Sequence, residues 1–319
     1  MSFYVGTGST IQMGKESTYG TAATMTDLVN FTSESLKVSV DKTDEGSLLA
    51  AKTPMTRDLM AINVDGSISY ILRPEFAGLL FHAVLGGDDT VASAGSSKYT
   101  HTMKLCGVNA DLPTLTFTVD RKAATKAYTG CSLSNFSLEA AAGDYVKGSF
   151  DVVGYQETAG TLAALSSYTV PSYRCTSATF TLGGNTMDIS SCSLTIANNL
   201  ETAPRTYSSG LYAGKPQHGQ RGITVNFEIP YSAAIETLKN TYLTTETNAA
   251  LVLTFASSDS DYTCQITIPN VSINNVENNV SGTGLINAAI TGEALSVGST
   301  EPITVVITDK TSTAYGDLN

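Results

Sequence analysis

The chain has 319 residues, a formal net charge of −11, 42% hydrophobic residues and only 15% charged ones. The length suits two domains of ordinary size, and the apolar fraction is enough to bury real cores, which excludes a disordered chain. An acidic chain with no Lys/Arg cluster is a poor grip for nucleic acid, because phosphate neutralisation supplies most of that affinity. Abundant Thr, Ser, Val and Gly without tryptophan is a β-rich palette with many turns. The opening "MSFYVGTGST" lacks the basic and apolar regions of a signal peptide, and no apolar run reaches spanning length, so no membrane association is expected. Five scattered cysteines (Cys106, Cys131, Cys175, Cys192, Cys264) with no CxxC pair suggest reduced thiols in a cytoplasmic fold.

In chain order, "SLKVSV" alternates Leu36, Val38 and Val40 against polar neighbours. Alternation of this period predicts half-buried antiparallel strands. "PEFAGLLFHAVLGG" predicts a helix, with Pro74 in its first turn, Phe76, Leu79, Leu80, Ala83 and Val84 on one face and Gly86-Gly87 as its stop. "TLTFTV" (Leu115, Phe117, Val119), "ATFTL" (Ala178, Phe180, Leu182) and "GITVNFEI" (Ile223, Val225, Phe227, Ile229) alternate as strands. "YSAAIETLKNTYL" predicts a second helix with Ser232 as N-cap and Ile235, Leu238 and Tyr242 on a shared face. "ITVVI" (Ile303, Val305, Ile307) is a final strand.

The order strand, polar loop, strand, helix, strands occurs twice, which predicts an internal duplication. Gly66 and Gly222 lie 222 − 66 = 156 residues apart, as do Pro74 and Pro230 (230 − 74 = 156). Ser35 and Leu36 match Ser193 and Leu194, while Ser132 and Asn135 of "CSLSNF" match Ser272 and Asn275 of "VSINNV". The apolar alternation instead aligns at 155, pairing Ile68 with Ile223, Tyr70 with Val225 and Leu72 with Phe227. That one-residue slip predicts a β-bulge in one copy. The first copy carries an insertion over residues 88–113, including "KYTHTMKL".

Polar segments 41–61 and 198–221 occupy the same point of each copy and exceed hairpin-loop length. Both are expected to project and to contact a partner. The contact candidates are Asp44, Leu48, Leu49 and Met55 in the first, and Tyr207, Leu211, Tyr212 and His218 in the second.

Catalytic constellations are missing. His82, His101 and His218 lie far apart, and His82 is expected to be a packed helix residue. "GTGST" lacks the lysine of a phosphate loop, "SSDSDY" lacks the glycine and distal glutamate of a calcium loop, and no G-x-S-x-G is present. No catalytic, cofactor-binding or metal-binding residues are assigned, and an enzyme is not expected.

Four segments, "GKESTYGTAA" (14–23), "YTHTM" (99–103), "LPTLTFTV" (112–119) and "GCSLSNFSLEAAAGDYVKGSFDVVGY" (130–155), resemble the tail tube (major tail) proteins of long-tailed bacteriophages, of the tandem-domain kind. The resemblance implies a mainly β fold: two tandem β-sandwich or barrel domains, each with one flanking α-helix. It places an N-terminal arm at 1–30, a first domain at 31–160 and a second at 161–319. It implies a structural virion protein, assembled in the host cytoplasm, whose copies form rings stacked into a hollow tail tube. Two fused modules imply a ring of three. The implied partners are further copies of the chain, the tape measure protein and the tail terminator and distal tail proteins, with phage DNA passing through the lumen without specific binding. A capsid decoration protein and a β-rich adhesin are the competing readings. The first would bind a capsid lattice without self-stacking, and the second would need export.

Overall fold

The computed structural model describes residues 3–318, apart from 47–51, 55, 203–204, 246, 260 and 281–282. The first half runs β1 (Thr10–Lys15), β2 (Lys37–Asp44), β3 (Arg57–Ile71) and α1 (Pro74–Leu85). A hairpin of β4 (Gly86–Gly95) and β5 (Lys98–Leu105) follows, then β6 (Leu115–Asp120), β7 (Thr125–Ala141), β8 (Lys147–Gly154) and β9 (Gln156–Ala159). The second half repeats that order as β10 (Arg174–Leu182), β11 (Ser191–Ala197), β12 (Gly222–Pro230) and α2 (Ala233–Leu238). It continues with β13 (Ala249–Ala256), β14 (Thr263–Glu277), β15 (Asn287–Ala294) and β16 (Thr304–Asp309), with no counterpart of the β4–β5 hairpin among the described residues. The protein is mainly β, with one helix in each half.

The long strands β7 and β14 organise their halves. The C-terminal part of β7 pairs with β8, and its N-terminal part pairs with β6 and β9. β14 does the same with β15, then with β13 and β16. Each long strand therefore belongs to two sheets, and the core lies between them. The change of sheet is made by bulges at equivalent places. On β7, Phe136 and Leu133 face Phe150 and Val152, three residues against two; on β14, Val276 and Ile273 face Ile290 and Gly292. The offset is 276 − 136 = 140 on one strand and 290 − 150 = 140 on its partner. It places Ser132 with Ser272 and Asn135 with Asn275, as the sequence repeat anticipates. A second bulge recurs at Cys131/Tyr128 and Val271/Ile268. An extra residue bends a strand and strengthens its twist, which lets one strand serve two layers.

The Gly/Pro echo is corrected. Ile68 faces Phe150, and Phe227 faces Ile290, so β3 and β12 correspond at 227 − 68 = 159. The helix starts then coincide, since Pro74 and Ala233 are also 159 apart. Pro74 opens α1, whereas Pro230 is the last residue of β12. Within the echoed stretch β3 on β8 and β12 on β15 both run without a register shift, and the shift that β3 carries against β2, where Ala61 and Leu59 face Asp41 and Lys42, lies before Gly66. Burial fixes strand register, while Gly and Pro answer to local backbone needs. Gly66 has φ 153°, and a Cβ there would lie 2.7 Å from Leu36 Cα, a crossing that Gly222 does not share.

α1 is buried on every side, not on one face: all its residues except Glu75 are buried. One side packs on the sheet, with Phe81 5.3 Å from Phe136 and Phe76 6.0 Å from Tyr70. The other meets the C-terminal turn, where a Cβ on Gly78 would fall 2.0 Å from the Tyr315 ring. Gly86, at φ 73°, ends the helix with its N–H on the His82 carbonyl. α2 is shorter, buries only Ile235 and Leu238, and runs into a π-turn at Lys239–Leu243. Ser232 occupies its N-cap, but the serine side chain makes no capping bond. Residues of the expected N-terminal arm enter the fold: β1 pairs along β6 and buries Ile11 and Met13.

Two polar clusters hold the layers. Glu16, from the "GKESTYGT" opening, is buried. Its carboxylate accepts from Thr114 Oγ1 (2.8 Å), Thr116 Oγ1 (2.7 Å), Gly130 N (2.7 Å) and Gly20 N (3.0 Å). The glutamate of the motif thus ties the N-terminus to β6 and β7. The other cluster lies at the insertion. β5 pairs with β16, so the hairpin of the first half completes a sheet of the second. There His101 lies fully buried, with Nδ1 2.9 Å from Asp89 Oδ2 and Nε2 2.8 Å from the Thr311 carbonyl. A ring that donates from both nitrogens is an imidazolium. Burial alone would lower its pKa, but bonds to Asp309, Asp89 and Thr311 outweigh it and raise the value to about 10. Tyr315 closes the cluster, its N–H on Asp89 (2.7 Å) and its hydroxyl on Asp309 (2.5 Å).

A histidine whose folded pKa of about 10 lies above the reference 6.5 contributes stability that is fully present below pH 6.5 and lost as pH rises through 10. The midpoint of thermal unfolding is therefore expected to decline progressively as pH rises from about 6.5 to about 10, and His101→Gln is expected to lower the neutral-pH midpoint and flatten that decline. Glu16→Gln replaces an acceptor of four bonds by a group that must also donate. It is expected to cost about 1–3 kcal/mol in denaturant titration.

Candidate assembly surfaces

Strands of both halves join in one antiparallel sheet, ordered β2-β3-β8-β7-β11-β12-β15-β14. The two halves meet at a seam between β7 and β11, where Asn135 faces Ala197 and Ala141 faces Ser191 without a register shift. One face of this sheet is the core, with Ile68, Phe136, Phe150, Ile196, Phe227 and Ile290 all buried. Cross-strand partners share a face, so the registers fix what lies on the other. Ser137 faces Ser149 and Thr195, Asn226 faces Ser193 and Thr291, and Asp151 faces Ser67.

That second face is hydroxyl- and amide-rich and knitted by short side-chain bonds. Ser137 and Ser149 hydroxyls lie 2.9 Å apart, Asn135 donates to Asp151 at 3.0 Å and Thr291 to Asn226 at 2.8 Å. Its carboxylates are Asp65, Glu139, Asp151, Glu228, Glu277 and Glu293, against the ammonium groups of Lys37 and Lys147. The face is therefore net acidic. The alternating strand pattern marks its residues as outward-facing, but not as members of one surface.

The outer strands of this sheet are β2 and the C-terminal part of β14. β2 and β3 extend beyond it as a hairpin arm, with Arg57 Nε 2.6 Å from Asp44 Oδ1. Bonding to Arg57 holds the Asp44 carboxyl below its ordinary pKa. Of the first-segment candidates, Asp44 is thus engaged within the arm, while Leu48, Leu49 and Met55 lie outside the described residues. Val40, Leu59 and Met60 are exposed apolar side chains that the sequence reading missed. The "SLKVSV" alternation contains Val40, but period alone does not tell an edge strand from an inner one.

The second segment lies against the first half of the chain, which differs from the projecting arm expected. Leu200–Glu201 pairs with Gln217–His218, and the loop between them crosses β3, where Ile62 N donates to the Leu211 carbonyl at 2.9 Å. The Tyr212 ring packs at a tilt 5.0 Å from Tyr155, which is 5.3 Å from Tyr19, and Gln156 Nε2 reaches the Tyr212 hydroxyl at 3.3 Å. His218 Nε2 is 3.0 Å from the Ala110 carbonyl. Three aromatic rings are partly covered by packing together, which holds this segment against the first half. Leu211, Tyr212 and His218 are half-buried within the chain, whereas Tyr207 is wholly exposed.

Among the described residues, no cluster of three or more His, Cys, Asp or Glu is placed to hold a metal ion, and no helix is long and apolar enough to cross a membrane. All five cysteines are free, and burial pushes the Cys192 and Cys264 thiols up to about 12.

No curated protein matches the chain. A family model described as phage tail tube protein matches residues 6–307, nearly the whole length. With its mainly β architecture and antiparallel sheets, the chain belongs to the phage tail tube protein family, structural proteins of the phage tail.

Proposed function

We propose that copies of this chain close into rings, that the rings stack into a hollow tube, and that phage DNA passes through the lumen without specific binding. The observation that carries this reading is the eight-stranded sheet. It is built from two equivalent four-stranded units joined edge to edge, and its outer strands at either end, β2 and β14, match the two that meet at the seam. Exposed strand edges invite pairing with another chain, and closure into a barrel removes them. Two modules per chain make a ring of three the reading with six modules around the axis.

In such a ring the acidic, hydroxyl-rich face lines the lumen and the helices lie outside it. A wall that repels phosphate lets DNA slide, whereas Lys or Arg would hold it. Stacking of rings is a heterologous contact that does not close, so it generates a filament. The β2–β3 arm supplies it through Val40, Leu59 and Met60, with the candidates Leu48, Leu49 and Met55 of the same segment and with Tyr207 as a second contact. Assembly in the host cytoplasm and contact with the tape measure, terminator and distal tail proteins complete the reading, on the strength of the family.

Electron microscopy of the purified protein tests the rings, and the mass of one ring separates three copies from six. Replacing residues 45–56 by an Asn-Gly turn should leave rings that no longer lengthen into tubes; full-length tubes from this variant would refute the bridging role. Glu139→Lys, Glu228→Lys and Glu293→Lys together should leave tubes intact and cut genome delivery. Undiminished infectivity would refute the charge argument.

A further inference from the structure

The seam inside the chain contains the address of the seam between chains. We infer that β14 of one copy pairs antiparallel with β2 of the next, with Glu277 opposite Lys37, Val276 opposite Val38 and Asn275 opposite Ser39. The inference rests on the proposed ring and specifies its partner surface and register.

The derivation uses only observed pairings. Within the chain Ser137 faces Thr195, Phe136 faces Ile196 and Asn135 faces Ala197. β7 corresponds to β14 at an offset of 140, as Phe136 and Val276 show through their partners Phe150 and Ile290. β2 corresponds to β11 at 196 − 38 = 158, because Val38 faces Val64 and Ile196 faces Ile223, the β3–β12 offset being 159. Carrying the internal seam outward by these offsets gives the three pairs.

Three independent features agree with that register. Faces match: Val38 and Val276 lie on the apolar side, across from Val64 and Ile290, while Lys37 and Glu277 lie on the polar side, across from Asp65 and Ala289. A slip of one residue would set Val38 against a carboxylate or an amide. Exposure matches: Val38 is 36% exposed, yet its counterpart Ile196, covered at the internal seam, is 0% exposed. Charge matches: Lys37 is solvent-accessible and only loosely held by Asp65 at 3.7 Å, and the register brings it beside Glu277. Directly opposed unlike charges favour a strand pair and like charges disfavour it.

The test is cross-linking combined with charge reversal in the full-length chain. Ser39→Cys with Asn275→Cys should, on mild oxidation of assembled rings, give covalent oligomers beyond those of oxidised wild type. Ser39→Cys with Val276→Cys, one residue out of register, should not. Lys37→Glu or Glu277→Lys alone should raise the concentration needed for assembly about threefold to tenfold, and the two together should restore it. Rings that cross-link only through the shifted pair, or a double reversal no better than the singles, would overturn the register while leaving the ring reading intact. A wild-type chain that forms no rings would overturn both.

Discussion

The structure depends on one backbone contact, the ladder between β7 and β11. It turns two four-stranded units into a single sheet with one polar and one apolar face. A strand edge left in solvent has unpaired N–H and C=O groups, and this chain covers its middle edges internally. The outer strands that remain are of the same two kinds. The proposed ring reuses that same kind of pairing between copies.

The bulged long strands make that seam possible. Because β7 and β14 each change partners along their length, both modules pack on one continuous hydrophobic core while presenting a polar face on one side. The two halves are not equal, however. The β4–β5 hairpin of the first completes a sheet of the second, pinned by the buried His101 with Asp89 and Asp309. α1 is thereby covered on both sides, whereas α2 has no comparable cover and buries only two residues. The duplication is therefore a duplication of strands and bulges, with one copy elaborated to lock the pair together.

Much of the fold is legible in individual residues. Leu36 and Leu194, Ser132 and Ser272, and Asn135 and Asn275 occupy equivalent places, since bulges and buried alternation leave a local imprint. The Gly66/Gly222 and Pro74/Pro230 matches misled, because each of those residues serves its own turn or crossing. The contact candidates of the second segment lie in different settings. Tyr207 is exposed, while Leu211, Tyr212 and His218 find partners within the chain, at Ile62, Tyr155 and Ala110. A polar segment with a few apolar residues has the same composition whether it docks on its own chain or on another.

By itself the sequence determined the strand-rich class, the two helices, the double occurrence of one module and the family, because each is written in short-range period or in motifs a few residues long. Tertiary structure alone decided the 159-residue correspondence of β3 and β12, the complete burial of α1, the docking of the second segment and the gathering of six carboxylates on one sheet face. These depend on which strands lie side by side. That is settled by long-range backbone pairing and by burial against distant residues, and no window of neighbouring residues contains either.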